Sequence, residues 1–104
     1  MRELTNAQRQ YLRRLAHDLK PLVQIGKHGL TNQALAMIDR TLDAHELIKV
    51  KFLDFQDEKQ ELSETIAEQL NTVLIGIVGN IATFYREQRD PDKRKIAVSA
   101  RSRD

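Results

Sequence analysis

Two apolar, β-branched runs, residues 72–78 and 81–85, are separated only by Gly79-Asn80. Such a two-residue connection is a hairpin signal, so the runs are expected as antiparallel neighbours. A hairpin alone is marginal in water and needs further strands and an apolar cover. Residues 46–53 offer the next strand, with Ile48, Val50 and Phe52 alternating against Leu47, Lys49 and Lys51. A shorter strand is expected at residues 22–25, directly after Pro21, which cannot continue a helix.

The segments between these strands read as helices. Thr5 with Gln8 forms a capping box, and Ala7, Tyr11, Leu12, Leu15, Ala16 and Leu19 recur at helical spacing while Arg9, Arg13 and Lys20 fall elsewhere on the wheel. The first helix is therefore amphipathic with a basic outer side. Thr31 is an N-cap for a second helix running to about Ala44, with Leu35, Ile38 and Leu42 inward. Residues 57–70 form a third, with Leu62, Ile66 and Leu70 inward and Glu61, Glu64 and Glu68 on an acidic, solvated face. The order α-β-α-β-α-β-β predicts a single small α/β domain, a mixed four-stranded sheet with helices packed on it. Its expected extent is residues 1–88. Residues 89–104 form a basic tail, mobile or making one short edge strand at residues 96–98.

Composition excludes several chemistries. The 104 residues include no cysteine, which removes disulfides, cysteine-ligated metal and thiol catalysis and suits a cytoplasmic protein. His45-Glu46 begins like a zinc-binding HExxH helix, but Lys49 stands where the second histidine belongs, so neither metal nor other cofactor is expected. Nucleophile–base pairs and phosphate-loop lysine motifs are missing as well, so the chain is not expected to be an enzyme or to take a small-molecule substrate. No apolar stretch approaches the roughly 20 residues of a membrane helix. Net charge is only +2, yet residues 1–30 carry six basic against two acidic residues, and residues 31–71 four against nine. One basic and one acidic surface are expected, the former suited to a polyanion.

Gly26-Lys27-His28-Gly29 lies between a strand and a helix start. A loop of this kind lets backbone amides approach a phosphate closely, and Lys27 and His28 add side-chain donors. Two glycines in such a turn are more often mere turn residues. Lys20 before the adjoining strand, with Lys49 and Lys51 on another, would extend a basic patch around it, although edge-strand lysines also serve to discourage aggregation. Of the aromatic residues, Phe52 and Phe84 suit the core, whereas Tyr85 is a candidate for stacking on a base, with Tyr11 and Phe55 behind it. His17 and His45 are read as structural, through hydrogen bonds or caps.

Ala16-His17, Leu19-Lys20-Pro21, Ile25-Gly26-Lys27-His28-Gly29-Leu30 and above all His45-Glu46-Leu47-Ile48-Lys49-Val50-Lys51 resemble the signature of the CRM (chloroplast RNA splicing and ribosome maturation) domain in its stand-alone bacterial, YhbY-like form. The resemblance spans about residues 4–86, with His28 where a small polar residue is more usual and Glu87 where proline is frequent. It implies a fold similar to the C-terminal domain of translation initiation factor 3. It further implies a non-enzymatic RNA-binding protein that assists ribosome biogenesis by binding precursor rRNA of the large subunit; a monomer is expected. The family's GxxG loop, its proposed RNA contact, falls on Gly26, Lys27, His28 and Gly29, and Arg9, Arg13, Lys20, Lys49 and Lys51 complete the expected RNA-binding set. The alternative is a protein-interaction adaptor that uses the acidic third helix.

Overall fold

The computed structural model describes residues 4–96. Its elements are α1 (Asn6–Ala16), β1 (Val23–Ile25), α2 (Asn32–His45), β2 (Leu47–Phe52), α3 (Lys59–Gln69), β3 (Val73–Val78) and β4 (Ile81–Tyr85), with 3₁₀ turns at Gln56–Glu58 and Pro91–Lys93. The sheet order is β1-β2-β4-β3; β1 runs parallel to β2, and the remaining pairs are antiparallel. This is the mixed four-stranded sheet expected from the element order. Gly79 opens the two-residue turn between β3 and β4 at φ +59, a conformation that a side chain would strain.

Both faces of the sheet are used. On one, Ile48, Val50 and Phe52 join Val23, Ile25, Ala82 and Phe84 under Ile38 and Leu42 of α2 and Ile66 of α3. On the other, Leu12 and Ala16 of α1 cover Leu47, Ile75 and Tyr85. Leu47, expected with the lysines on the outer face of β2, is on that face but buried there, because α1 lies over it.

The capping box of α1 forms as expected: Thr5 Oγ1 accepts from the Gln8 amide, and the Thr5 amide donates to Gln8 Oε1 at 2.7 Å. The inward stripe, however, is Gln8, Leu12 and Ala16, whereas Ala7, Leu15 and Leu19 are exposed. This turns the helix so that Arg9 and Arg13 flank the contact. Their guanidinium groups donate to the Leu74 and Ile75 carbonyls at 3.2 Å each. Those carbonyls lie on an edge strand at the register shift between Leu74 and Gly76, where a ladder partner is lost. Two arginines four residues apart reach them from one side of α1.

After β4 the chain is fastened to Glu46. This residue caps α2 at φ +64, is buried, and its carboxylate accepts from the amides of Gln88 (2.8 Å), Lys95 (2.6 Å) and Ile96 (3.1 Å). Ile96 then packs beside the α1 core cluster. Between Gln88 and Ile96 the chain is thus tethered, with a 3₁₀ turn at Pro91–Lys93, and the edge strand considered at residues 96–98 falls almost wholly outside the described residues. The rest of that tail, residues 97–104, lies outside the described residues.

Candidate nucleic-acid interface

The Gly26–Gly29 segment is a closed turn. The Gly29 amide donates to the Gly26 carbonyl at 3.0 Å, which leaves Lys27 and His28 at the tip, both exposed. Thr31 then caps α2 by accepting from the Ala34 amide at 3.0 Å. The turn is braced from β2: the Leu53 and Asp54 amides both donate to the Ile25 carbonyl, at 2.9 and 3.3 Å. Phe55, in the left-handed region at φ +55, places its ring against Gly29.

The two glycines have different physical reasons to be there. Gly29 sits at φ +71, and a Cβ on it would come within 3.3 Å of Phe55 Cε2. Both its backbone and its neighbour favour glycine. Gly26 has an ordinary φ, and a Cβ on it would meet nothing within 4 Å. Neither conformation nor packing within the described residues demands glycine at 26. What its bare backbone offers is close approach from outside.

The nine candidate binding residues separate into three groups. Lys51 is exposed and stands in register with Gln24 of β1 and Ile81 of β4, at the end of the sheet where the GxxG turn lies. With Lys27, His28 and the glycines it makes one cationic end. Lys49, opposite Thr83, donates from Nζ to the Leu19 carbonyl at 3.0 Å and so pins the α1–β1 connection that carries exposed Lys20. Arg9 and Arg13 are at β3, on the far edge of the sheet from β1, three strand spacings or about 14 Å away. They do not join the loop in one compact patch.

Other expectations change. Tyr85 is buried at 2 % exposure beneath α1, so its ring is not available to a base; Phe52 and Phe84 are core residues as expected. Phe55 is partly exposed and acts as a brace for the turn. His17 and His45 keep the structural reading: both are exposed, His17 is the C-cap of α1 with its amide donating to the Arg14 carbonyl at 3.3 Å, and His45 stands in the last turn of α2. Glu61, Glu64 and Glu68 lie on the solvated face of α3.

Two residues that sequence reasoning passed over organise the opposite end. Glu46 is one. Arg86 is the other: it pairs with Asp39 at 2.7 Å and Asp43 at 2.9 Å, and donates to the Leu70 and Asp39 carbonyls. A concavity of about 550 Å³ lies beside them and includes Asp43, Tyr85, Arg86 and Arg94 in its lining. It is away from the GxxG turn, and its central cation is already engaged. Among the described residues no group of three histidines, aspartates or glutamates converges to hold a metal, and no helix is long and apolar enough to cross a membrane.

Comparison with known proteins agrees with this architecture. The family model of the CRS1 / YhbY (CRM) domain matches residues 4–86. A probable RNA-binding protein of Pseudomonas aeruginosa is 34% identical over 97 residues, which cover 92% of this chain and 93% of that protein. An RNA-binding protein of Haemophilus influenzae is 37% identical over 91 residues, 86% of this chain and 92% of its own. The solution structure of a hypothetical protein from Staphylococcus aureus superimposes with a TM-score of 0.75 at 39% identity, covering 90% of this chain and 99% of that one.

Proposed function

Because the chain belongs to the CRS1 / YhbY (CRM) domain family, we propose that it is an RNA-binding protein whose GxxG turn grips the sugar-phosphate backbone. The observation that carries this reading is Gly26, a glycine that neither φ nor packing requires, at the foot of a turn tipped by Lys27 and His28. A phosphate can approach the backbone there and meet amides, two cationic or donor side chains and the start of α2, whose dipole favours an anion. Lys51 and Lys20 extend the attraction, and Lys49, Arg9 and Arg13 contribute with whatever donors their structural bonds leave open. Phosphate contacts of this kind give affinity without base readout.

The relatives' description as RNA-binding proteins supports RNA as the partner. On the resemblance to the bacterial CRM proteins, the RNA is the precursor rRNA of the large ribosomal subunit. The chain then acts as a monomeric, cytoplasmic, non-enzymatic assembly factor.

The test replaces Lys27 and His28 together with aspartate and measures RNA affinity beside the melting temperature. Affinity should drop at least tenfold, since two carboxylates would face the phosphates, while exposed substitutions cost under about 0.5 kcal/mol of stability. Wild-type affinity should fall steeply with salt, by about 0.7 in the log–log slope for each phosphate neutralised on a single strand. Unchanged affinity in a folded double variant would reduce residues 26–29 to an ordinary turn. Partners that survive ribonuclease treatment would favour an adaptor working through the acidic face of α3.

A further inference from the structure

Among the described residues the outer face of the sheet is only half covered. α1 lies over Leu47, Ile75 and Tyr85, but Val78, in register with Ile81, is 84% exposed, and Lys51 beside it is open. Between the last turn of α1 and this open half runs a groove of about 280 Å³. Its floor includes Gly76, Val78 and Ile81, and its rim Arg13, His17 and Lys49, with no carboxylate among the lining residues.

The groove has a definite origin. The register shift between Leu74 and Gly76 adds Ile75 as an extra residue, and Gly76, paired with Thr83, faces Arg13 without a side chain. A Cβ at Gly76 would lie 3.9 Å from Arg13 Nε, an ordinary contact, and the φ of Gly76 is not positive. Glycine at 76 therefore serves neither strain nor a clash. It leaves no side chain between the strand and the Arg13 guanidinium, which passes close over the backbone there. That guanidinium is itself held in place by its bond to the Ile75 carbonyl.

We propose that this groove seats one unstacked base of single-stranded RNA, with the Arg13 guanidinium and the aliphatic floor as its platform. The inference rests on the RNA-binding reading above and adds a base contact to its phosphate contacts. An apolar floor rimmed by Arg13, Lys49 and His17, with no carboxylate among the lining residues, matches a nucleotide, which joins a planar, apolar-faced ring to an anion, and arginine planes are established platforms for splayed bases. Lys51, in register with Ile81, lies on the way from this groove to the GxxG end, so one strand can cross the open half-sheet from base seat to phosphate grip.

The experiment compares the full chain's affinity for a short single-stranded oligoribonucleotide with that for an abasic oligonucleotide of the same length. Wild type should prefer the base-bearing strand by about tenfold, the lower range for one stacked base. Gly76→Leu, which fills the groove and changes no charge, should lower binding of the base-bearing strand to the abasic level and leave abasic binding as it was. Should Gly76→Leu fail to fold, photocrosslinking of wild type to 4-thiouridine RNA decides: cross-links within residues 13–17 or 76–81 support the seat, and cross-links confined to residues 26–29 overturn it. Equal wild-type affinity for both strands overturns the base seat while leaving the phosphate reading intact. No binding of either strand removes the RNA reading itself and the seat with it. Concentration-dependent dimers abolished by Gly76→Leu would also overturn it, by showing a second copy in the groove.

Discussion

The two ends of the sheet use charge in opposite ways. At the end where Leu47 pairs with Tyr85, Arg86 is engaged by Asp39, Asp43 and two carbonyls, and buried Glu46 is engaged by three amides. At the end where Lys51 pairs with Ile81, Lys27, His28 and Lys51 are exposed without an acidic partner among the described residues. The first set of charges closes the fold. The second is left for a ligand. A charged residue thus indicates function by the partners it lacks rather than by its type.

Substitutions at the closed end should cost stability and spare binding. The largest effect is expected for Glu46→Ala, which strands three amides and frees the segment reaching Ile96. The loss should be about 3 kcal/mol, because hydrogen bonds to a charged acceptor contribute roughly 1.5–3 kcal/mol each and water recovers part of that. Thermal unfolding would show it as a drop of about 15 °C, with RNA affinity of the folded protein unchanged. Glu46→Gln should retain part of the stability. Arg86→Ala follows at roughly 2 kcal/mol: its own side chain is largely buried, but Asp39 and Asp43 are 49% and 66% exposed, so solvent screens their share. A melting temperature like wild type in either variant would break the contrast between the ends.

How far this was legible from the sequence depends on how local each signal is. The hairpin at Gly79-Asn80, the Thr5–Gln8 capping box and the alternation of β2 involve neighbours in sequence, and they appear as read. The rotation of α1 does not follow from its own apolar pattern, which is wide enough to admit Ala7, Tyr11 and Leu15 as well as Leu12 and Ala16. It is set by edge-strand carbonyls more than sixty residues away. Glu46 carries no local signal of its role, because its three amide partners arrive forty-two to fifty residues later. The same holds for the binding set: spacing singled out Arg9, Arg13 and Lys49, and tertiary contacts gave each of them a structural bond as well. Tyr85 failed as a stacking candidate because α1 covers the face it points to.

The two loop glycines sharpen the comparison within a single turn. Gly29→Ala should cost about 1–2 kcal/mol, from positive φ and the 3.3 Å approach to Phe55. Gly26→Ala should leave stability unchanged or raise it by up to about 0.5 kcal/mol, since the unfolded chain loses freedom and nothing clashes. Its RNA affinity should nevertheless fall severalfold, because the added methyl group stands where a phosphate would approach the backbone. Equal melting temperatures for the two variants would contradict the assigned roles.

The smallest effect separates two lysines on one strand. Lys51 is exposed and engages no partner among the described residues, whereas Lys49 holds the Leu19 carbonyl. Lys51→Ser should therefore leave the melting temperature as it is and weaken RNA binding about two- to fivefold. It should also flatten the salt dependence by about 0.7 in the log–log slope, one phosphate contact on a single strand. Lys49→Ser should lower stability by up to about 1 kcal/mol, the net worth of one hydrogen bond, and any loss of affinity should accompany a loosened α1–β1 connection, seen as faster amide exchange around Leu19. The discriminating quantity is the salt slope rather than the affinity alone, because a structural change can weaken binding without removing an ion contact. If Lys49→Ser flattens the slope and Lys51→Ser does not, the strand reads phosphate through the lysine that also holds the fold, and the division between closing charges and binding charges fails on β2.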